Sequence, residues 1–103
     1  MVTCLDDMVG ELVTQLKTNG MYENTYVIFT SDHGDMLGGH GLATKGVGTA
    51  YEEVYNIPLI VRVPGMRSGE DGDSMVSVVD IGPTLLDLCG AAEMEPCHGR
   101  SLS

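Results

Sequence analysis

The sequence predicts an α/β fold, and three observations carry that prediction. An amphipathic helical stripe opens the chain, two short β-branched runs without alternation follow, and a second helical segment lies near the end. The 103 residues are expected to form one domain at most, with no internal repeat and no linker.

In the opening segment, Leu5, Met8, Val9, Leu12, Val13 and Leu16 recur at helical spacing, and Asn19-Gly20 supplies residues that tolerate the left-handed end of a helix. The run "TYVIFT", Thr25 to Thr30, is β-branched and aromatic, the pattern of a strand buried on both faces in a parallel sheet covered by helices. A second buried strand is predicted over "IPLIVRV", Ile57 to Val63, entered through Pro58 and closed by Pro64-Gly65. "MRSGEDGDS" reads as a solvated acidic loop. From Met75 to Leu88 an apolar segment predicts a helix, with Pro83 in its first turn and Gly90 just past its end. The tail, with Pro96, His98 and "GRSLS", predicts no defined element. Two or three parallel strands cannot close a sheet, so both edges would lie open to pairing, and the chain is expected to be part of a larger sheet.

A net charge of -10 with five Lys and Arg repels polyanions, which argues against nucleic acid and anionic membranes as partners. An anionic ligand needs a local cation to override that field. No run reaches the ~18–20 apolar residues of a membrane span, and Met1 is not followed by a basic and then apolar export signal. Cys4, Cys89 and Cys97 match neither a zinc spacing nor a CxxC pair. Cys4 and Cys89 sit in apolar-periodic segments and read as buried thiols, with a Cys89–Cys97 bridge as the alternative.

Between the two predicted strands, Ser31 to Ala50 is glycine-rich and without periodicity, and long connections of this kind tend to be functional. Ligands in open α/β sheets gather beyond the carboxyl ends of the strands, where Asp32 and His33 stand. A carboxylate oxygen and an imidazole nitrogen make half of a metal site if the backbone bends to bring them together, and Gly34 is read as the source of that bend. The simpler readings are an Asx turn with a surface histidine, and a solvated Lys45. His40, between Gly39 and Gly41, reads first as a hydrogen-bonded loop staple and second as a proton donor.

The run "NTYVIFTSDHGDMLGGHGLATKG", Asn24 to Gly46, resembles the sulfatase signature: an apolar strand, Ser-Asp-His/Asn-Gly, a Gly-x-His-Gly turn and then Lys-Gly. The resemblance continues through "YEEVYNIPLIVRVPG" (Tyr51 to Gly65) and "VDIGPTLLDLCG" (Val79 to Gly90), and ends in "GRSL" (Gly99 to Leu102). The opening helix with "LDD" is also similar to the helix that precedes this strand in the family. The resemblance implies part of the three-layer fold of the alkaline phosphatase superfamily, with a mostly parallel sheet core. It implies that Asp32 and His33 ligate a divalent metal and that Lys45 contacts the sulfate group. The family metal is usually calcium; imidazole suits zinc or manganese better, and magnesium is also admissible.

Sulfatases use a formylglycine nucleophile made within Cys/Ser-x-Pro/Ala-x-Arg, and no Cys or Ser here stands in that pattern. The family's early Asp-Asp metal pair is also missing, since Asp6-Asp7 lies on the polar side of the helical stripe. Residues 1–103 are therefore expected to be a fragment of one sulfatase-like catalytic domain, inactive alone, from a parent sulfuric ester hydrolase. Expected partners are a sulfate ester substrate and the remainder of that domain, together with self-association through open sheet edges. The alternatives are a phosphodiester or phosphonate monoester hydrolase of the same superfamily, a non-catalytic interaction module, or a remnant with vestigial ligands.

Overall fold

The computed structural model describes residues 1–45, 48, 50–66, 69, 72–92 and 95–103. Gly46 of the signature and positions 67, 68, 70 and 71 of the acidic loop lie outside the described residues. The chain divides into two units, Met1–Glu70 and Asp71–Ser103.

The first unit runs α1 (Val2–Thr18), a 3-10 turn (Tyr22–Asn24), β1 (Val27–Thr30), a second 3-10 turn (Gly39–Gly41), α2 (Glu52–Tyr55) and β2 (Leu59–Arg62). Helix α1 ends where the sequence predicts. Gly20 takes φ +68°, its N–H reaches Lys17 O at 3.1 Å, and the N–H of Met21 reaches Leu16 O at 2.9 Å. These two bonds satisfy carbonyls that the helix leaves open.

The apolar stripe of α1 is only partly covered. Val9, Val13 and Leu16 are half-buried, whereas Leu5, Met8 and Leu12 are exposed. The strands are likewise not buried on both faces as expected: β1 is half-buried throughout, and Ile60 and Val61 of β2 are exposed. Their β-branched composition reports a tendency toward burial, and no second layer among the described residues of this unit provides it.

The α/β class stands, but the observed strand pair is antiparallel rather than parallel. Val27 faces Arg62 and Thr30 faces Leu59. An unalternating apolar run reports burial and is silent about direction. Direction is set by the connection: the chain leaves β1 at Thr30 and re-enters at Leu59 on the same end, without the crossover that a parallel pair needs. At the other end, Arg62 fastens β2 to the turn before β1. Its guanidinium donates to the carbonyls of Tyr22 and Thr25, the latter at 2.9 Å, pairs with Glu23 at 3.2 Å, and lies 4.0 Å over the Tyr22 ring.

Among the described residues, two apolar side chains are buried, Met36 at 2% exposure and Val54 at 9%. One belongs to the loop after β1 and the other to α2. The centre of this unit thus lies under the glycine-rich loop, not beneath the sheet.

The second unit contains a 3-10 turn (Val78–Asp80) that leads into α3 (Ile81–Leu88). Pro83 sits in the first turn of α3, and Gly90 at φ +63° closes it with N–H bonds from Gly90 to Asp87 and from Ala91 to Leu86. The C-terminal tail is ordered by side chains at helical spacing on one face. Asp80 Oδ1 accepts the N–H of Arg100 and its Oδ2 that of Ser77, both at 2.9 Å. Thr84 Oγ1 donates to Asp80 O at 2.6 Å and accepts the N–H of Leu102 at 3.1 Å, and Asp87 accepts the hydroxyls of Ser101 and Ser103. Periodicity cannot reveal this tail, because its order comes from polar partners far along the chain.

Asp80 is 7% exposed, and the N–H groups of Arg100 and then Ser77 hold its carboxyl below the usual carboxylate range. A depressed folded value means stabilisation that is complete above the ordinary value of about 4 and fades as pH falls through the lower folded value. The Tm difference between wild type and Asp80→Asn is therefore expected to be largest above that pH and to shrink below it. A difference that stays constant into strong acid would contradict this role.

All three cysteines are free and exposed, which corrects the expected buried thiols at Cys4 and Cys89 and leaves the Cys89–Cys97 bridge unformed. Cys4 lies on α1 and Cys89 on the last turn of α3, on surfaces that the described residues do not cover.

Candidate metal and anion site

The chain bends directly after β1. Ser31 Oγ donates to the carbonyl of His33 at 2.7 Å, and Asp32 Oδ1 accepts the N–H of His33 at 2.9 Å. Asp32 stays 82% exposed and so keeps an oxygen free for a ligand. Its carboxyl is held below the usual range, first by the His33 N–H, against desolvation as the next largest effect, and further by the nearby ammonium of Lys45.

His33 Nδ1 lies 2.8 Å from the carbonyl of Gly34. A carbonyl only accepts, which assigns the ring proton to Nδ1 and leaves Nε2 as an acceptor. That Nε2 is 3.3 Å from Asp32 Oδ2. Two acceptors this close favour a cation between or beside them, and the ammonium of Lys45, twelve positions downstream, contacts Nε2. The structure thus brings Asp32, His33 and Lys45 together. An Asx-type contact does occur in this loop, but Asp35 makes it, accepting the N–H of Leu37 at 2.9 Å.

Gly34 proves necessary for a different reason from the predicted one. Its N–H bonds to Val54 O at 2.8 Å, and a Cβ placed on it would lie 1.9 Å from the carbonyl oxygen of Glu53. The residue permits close approach of two backbones rather than an unusual φ. Gly34→Ala is expected to destabilise the fold by about 1–3 kcal/mol, the usual range for overpacking, measured by denaturant unfolding. Unchanged stability would show that α2 is free to recede.

His40 belongs to the other end of the loop. It sits at φ +53°, its ring stacks on Tyr51 with centroids 4.2 Å apart, and its Nε2 lies 3.4 Å from Glu53 Oε1. These contacts match a staple. Sequence reasoning missed Tyr51 and Glu53 as supports of His40, and Val54 as the partner of Gly34. The signal available was the "YEEVY" run itself, where aromatic and carboxylate groups stand just ahead of a strand.

The donor set fits half of a divalent-metal site: a carboxylate and an imidazole with an unprotonated Nε2, which the Lys45 ammonium now contacts, on adjacent residues. Among the described residues, no group of three or more His, Cys, Asp or Glu converges to complete one. Asp6 and Asp7 are exposed on α1. No described helix is long and apolar enough to cross a membrane.

The chain is 39% identical over 97 residues to arylsulfatase K of Danio rerio, covering 94% of this chain and 18% of that protein. It is 39% identical over 99 residues to the uncharacterized sulfatase YidJ of Escherichia coli K12, covering 95% and 19%. Among solved structures, the phosphonate monoester hydrolase SpPMH from Silicibacter pomeroyi superposes with a TM-score of 0.83 at 36% identity, over 94% of this chain and 19% of that one. The chain spans about a fifth of the length of these relatives. The family model described as Sulfatase matches residues 1–91, and with relatives of this identity over nearly its whole length the chain belongs to the sulfatase family.

Proposed function

We propose that this segment serves a sulfuric ester hydrolase, in which Asp32 and His33 hold one side of a divalent-cation site and Lys45 binds the sulfate group. The observation that carries this reading is the pair of acceptor atoms, Asp32 Oδ2 and His33 Nε2, 3.3 Å apart with the Lys45 ammonium against them. The pair attracts a cation, and the ammonium supplies the local positive charge that an anionic ester needs against a net charge of -10.

When bound, the cation supplies Lewis-acid stabilisation of charge developing on the ester oxygens. Asp32 and His33 hold it, the Gly34 carbonyl fixes the His33 tautomer, and Lys45 orients the anion. Calcium is the metal proposed, on family grounds, with manganese, magnesium and zinc as the ions to compare. The formylglycine nucleophile, the remaining ligands and the parallel sheet core are assigned to the rest of a longer catalytic domain. That remainder would also cover Leu5, Met8 and Leu12 of α1 and the exposed face of β2, surfaces through which the chain alone would self-associate.

The second reading, a phosphonate monoester hydrolase, is favoured by the superposition on SpPMH. The two are separated by assaying the complete polypeptide on an aryl sulfate and on an aryl phosphonate monoester, with residues 1–103 alone as control. We expect faster turnover of the sulfate and no activity of residues 1–103 above a metal-only blank. Preference for the phosphonate would replace the first reading by the second. Turnover by residues 1–103 alone would overturn the dependence on residues elsewhere.

A further inference from the structure

The loop from Ser31 to Lys45 returns its ammonium to the cation pair, and its tip is gripped from outside as well as by its own backbone bonds. Its tip is a Gly-His-Gly turn, and His40 there takes a left-handed conformation that is uncommon for any side-chain-bearing residue. Backbone bonds inside the loop close the tip, from Gly38 N–H to Leu42 O at 2.9 Å and from Gly39 N–H to Met36 O at 2.7 Å, and two side chains outside the loop hold its histidine. Tyr51 stacks on the His40 ring at an interplanar angle of 14°, and Glu53 Oε1 faces His40 Nε2 at 3.4 Å.

The same short stretch also grips the loop at its root. Val54 O accepts the N–H of Gly34, and the Glu53 carbonyl abuts the α-carbon of Gly34, next to His33. The buried Met36, between root and tip, has its side chain near Gly39, which also lies against the Glu53 carboxylate. One helix of four residues therefore touches both ends of the loop, through backbone at the root and through side chains at the tip.

We propose that Glu53 is a positioning residue that holds the His40 turn and thereby sets where Lys45 meets the anion; this rests on the sulfatase reading of the site. The two grips are chemically separable. Changing the Glu53 side chain removes the tip contact and leaves the backbone contacts at Gly34, beside the metal ligands, in place. Glu53 thus acts on anion binding and not on metal binding. A general structural role would disturb both.

The test uses the complete enzyme and the variants Glu53→Ala and Glu53→Gln, with three readouts: calcium affinity, affinity for inorganic sulfate by calorimetry, and KM and kcat on an aryl sulfate. Glu53→Ala is expected to weaken sulfate binding and raise KM by about 10-fold with calcium affinity not lowered, since loss of a supporting partner typically costs about 10–100-fold. Glu53→Gln keeps an acceptor for His40 and is expected to restore both values to near wild type. Equal sulfate affinity in wild type and Glu53→Ala, or a parallel loss of calcium and sulfate in both variants, would overturn the proposal. If the wild type hydrolyses no sulfate ester while the variants still differ in sulfate affinity as expected, the sulfatase reading falls and the positioning role stands.

Discussion

Replacing Asp32 by Ala is expected to lower divalent-metal affinity and kcat/KM of the complete enzyme by at least about 100-fold each, more than the loss of a supporting partner typically costs. The structure gives the reason. Asp32 Oδ2 and His33 Nε2 are the two donors that converge after β1, and the carboxylate carries the only formal negative charge of the pair. The His33 N–H holds this carboxyl below the usual range, which favours its ionised form. The check is metal content after gel filtration together with steady-state kinetics. Unchanged metal content in Asp32→Ala would mean that the pair is vestigial and that the cation is held elsewhere.

Replacing Lys45 by Met is expected to lower kcat/KM by about 10²–10³-fold, the usual cost of removing one charge-stabilising donor from a site, and to leave metal content at or above the wild-type level. Methionine keeps a flexible stem of similar length and removes only the ammonium. Metal retention follows from the geometry: Lys45 competes for His33 Nε2 rather than helping a cation to reach it. Lys45→Arg is expected to restore little, because a planar fork does not replace a compact point charge. Loss of metal together with activity in Lys45→Met would show that the ammonium supports the ligands instead of the anion.

Much of this was legible in the sequence where one signal had one physical meaning. Helix ends at Gly20 and Gly90 followed from the left-handed conformation that both adopt. Asp32, His33 and Lys45 came from residue chemistry placed after a strand and from the family resemblance, and the structure brings the three into contact. Strand direction was not legible. The run from Val27 to Thr30 encodes burial, whereas its antiparallel pairing depends on where the following loop returns.

Burial misled in the same way. Leu12 and Ile60 carry the right periodicity and composition for a core and are nevertheless exposed, because the described residues include nothing that covers them. Conversely, Met36 looked like part of an unstructured loop and is the most buried apolar side chain among those described. Helix α2 supplies Glu53 to His40 and Val54 to Gly34. Contacts of this kind join residues that no local pattern connects. The tail after Pro96 shows the same limit, since Asp80, Thr84 and Asp87 order it from a distance.

The measurement that tests the account most directly is a crystal structure of the complete polypeptide grown with calcium and inorganic sulfate. The expected result is an ion bonded to an Asp32 carboxylate oxygen and to His33 Nε2, with the Lys45 ammonium turned from His33 to a sulfate oxygen. A pair without an ion, with Lys45 still against His33 Nε2 and sulfate elsewhere, would contradict it.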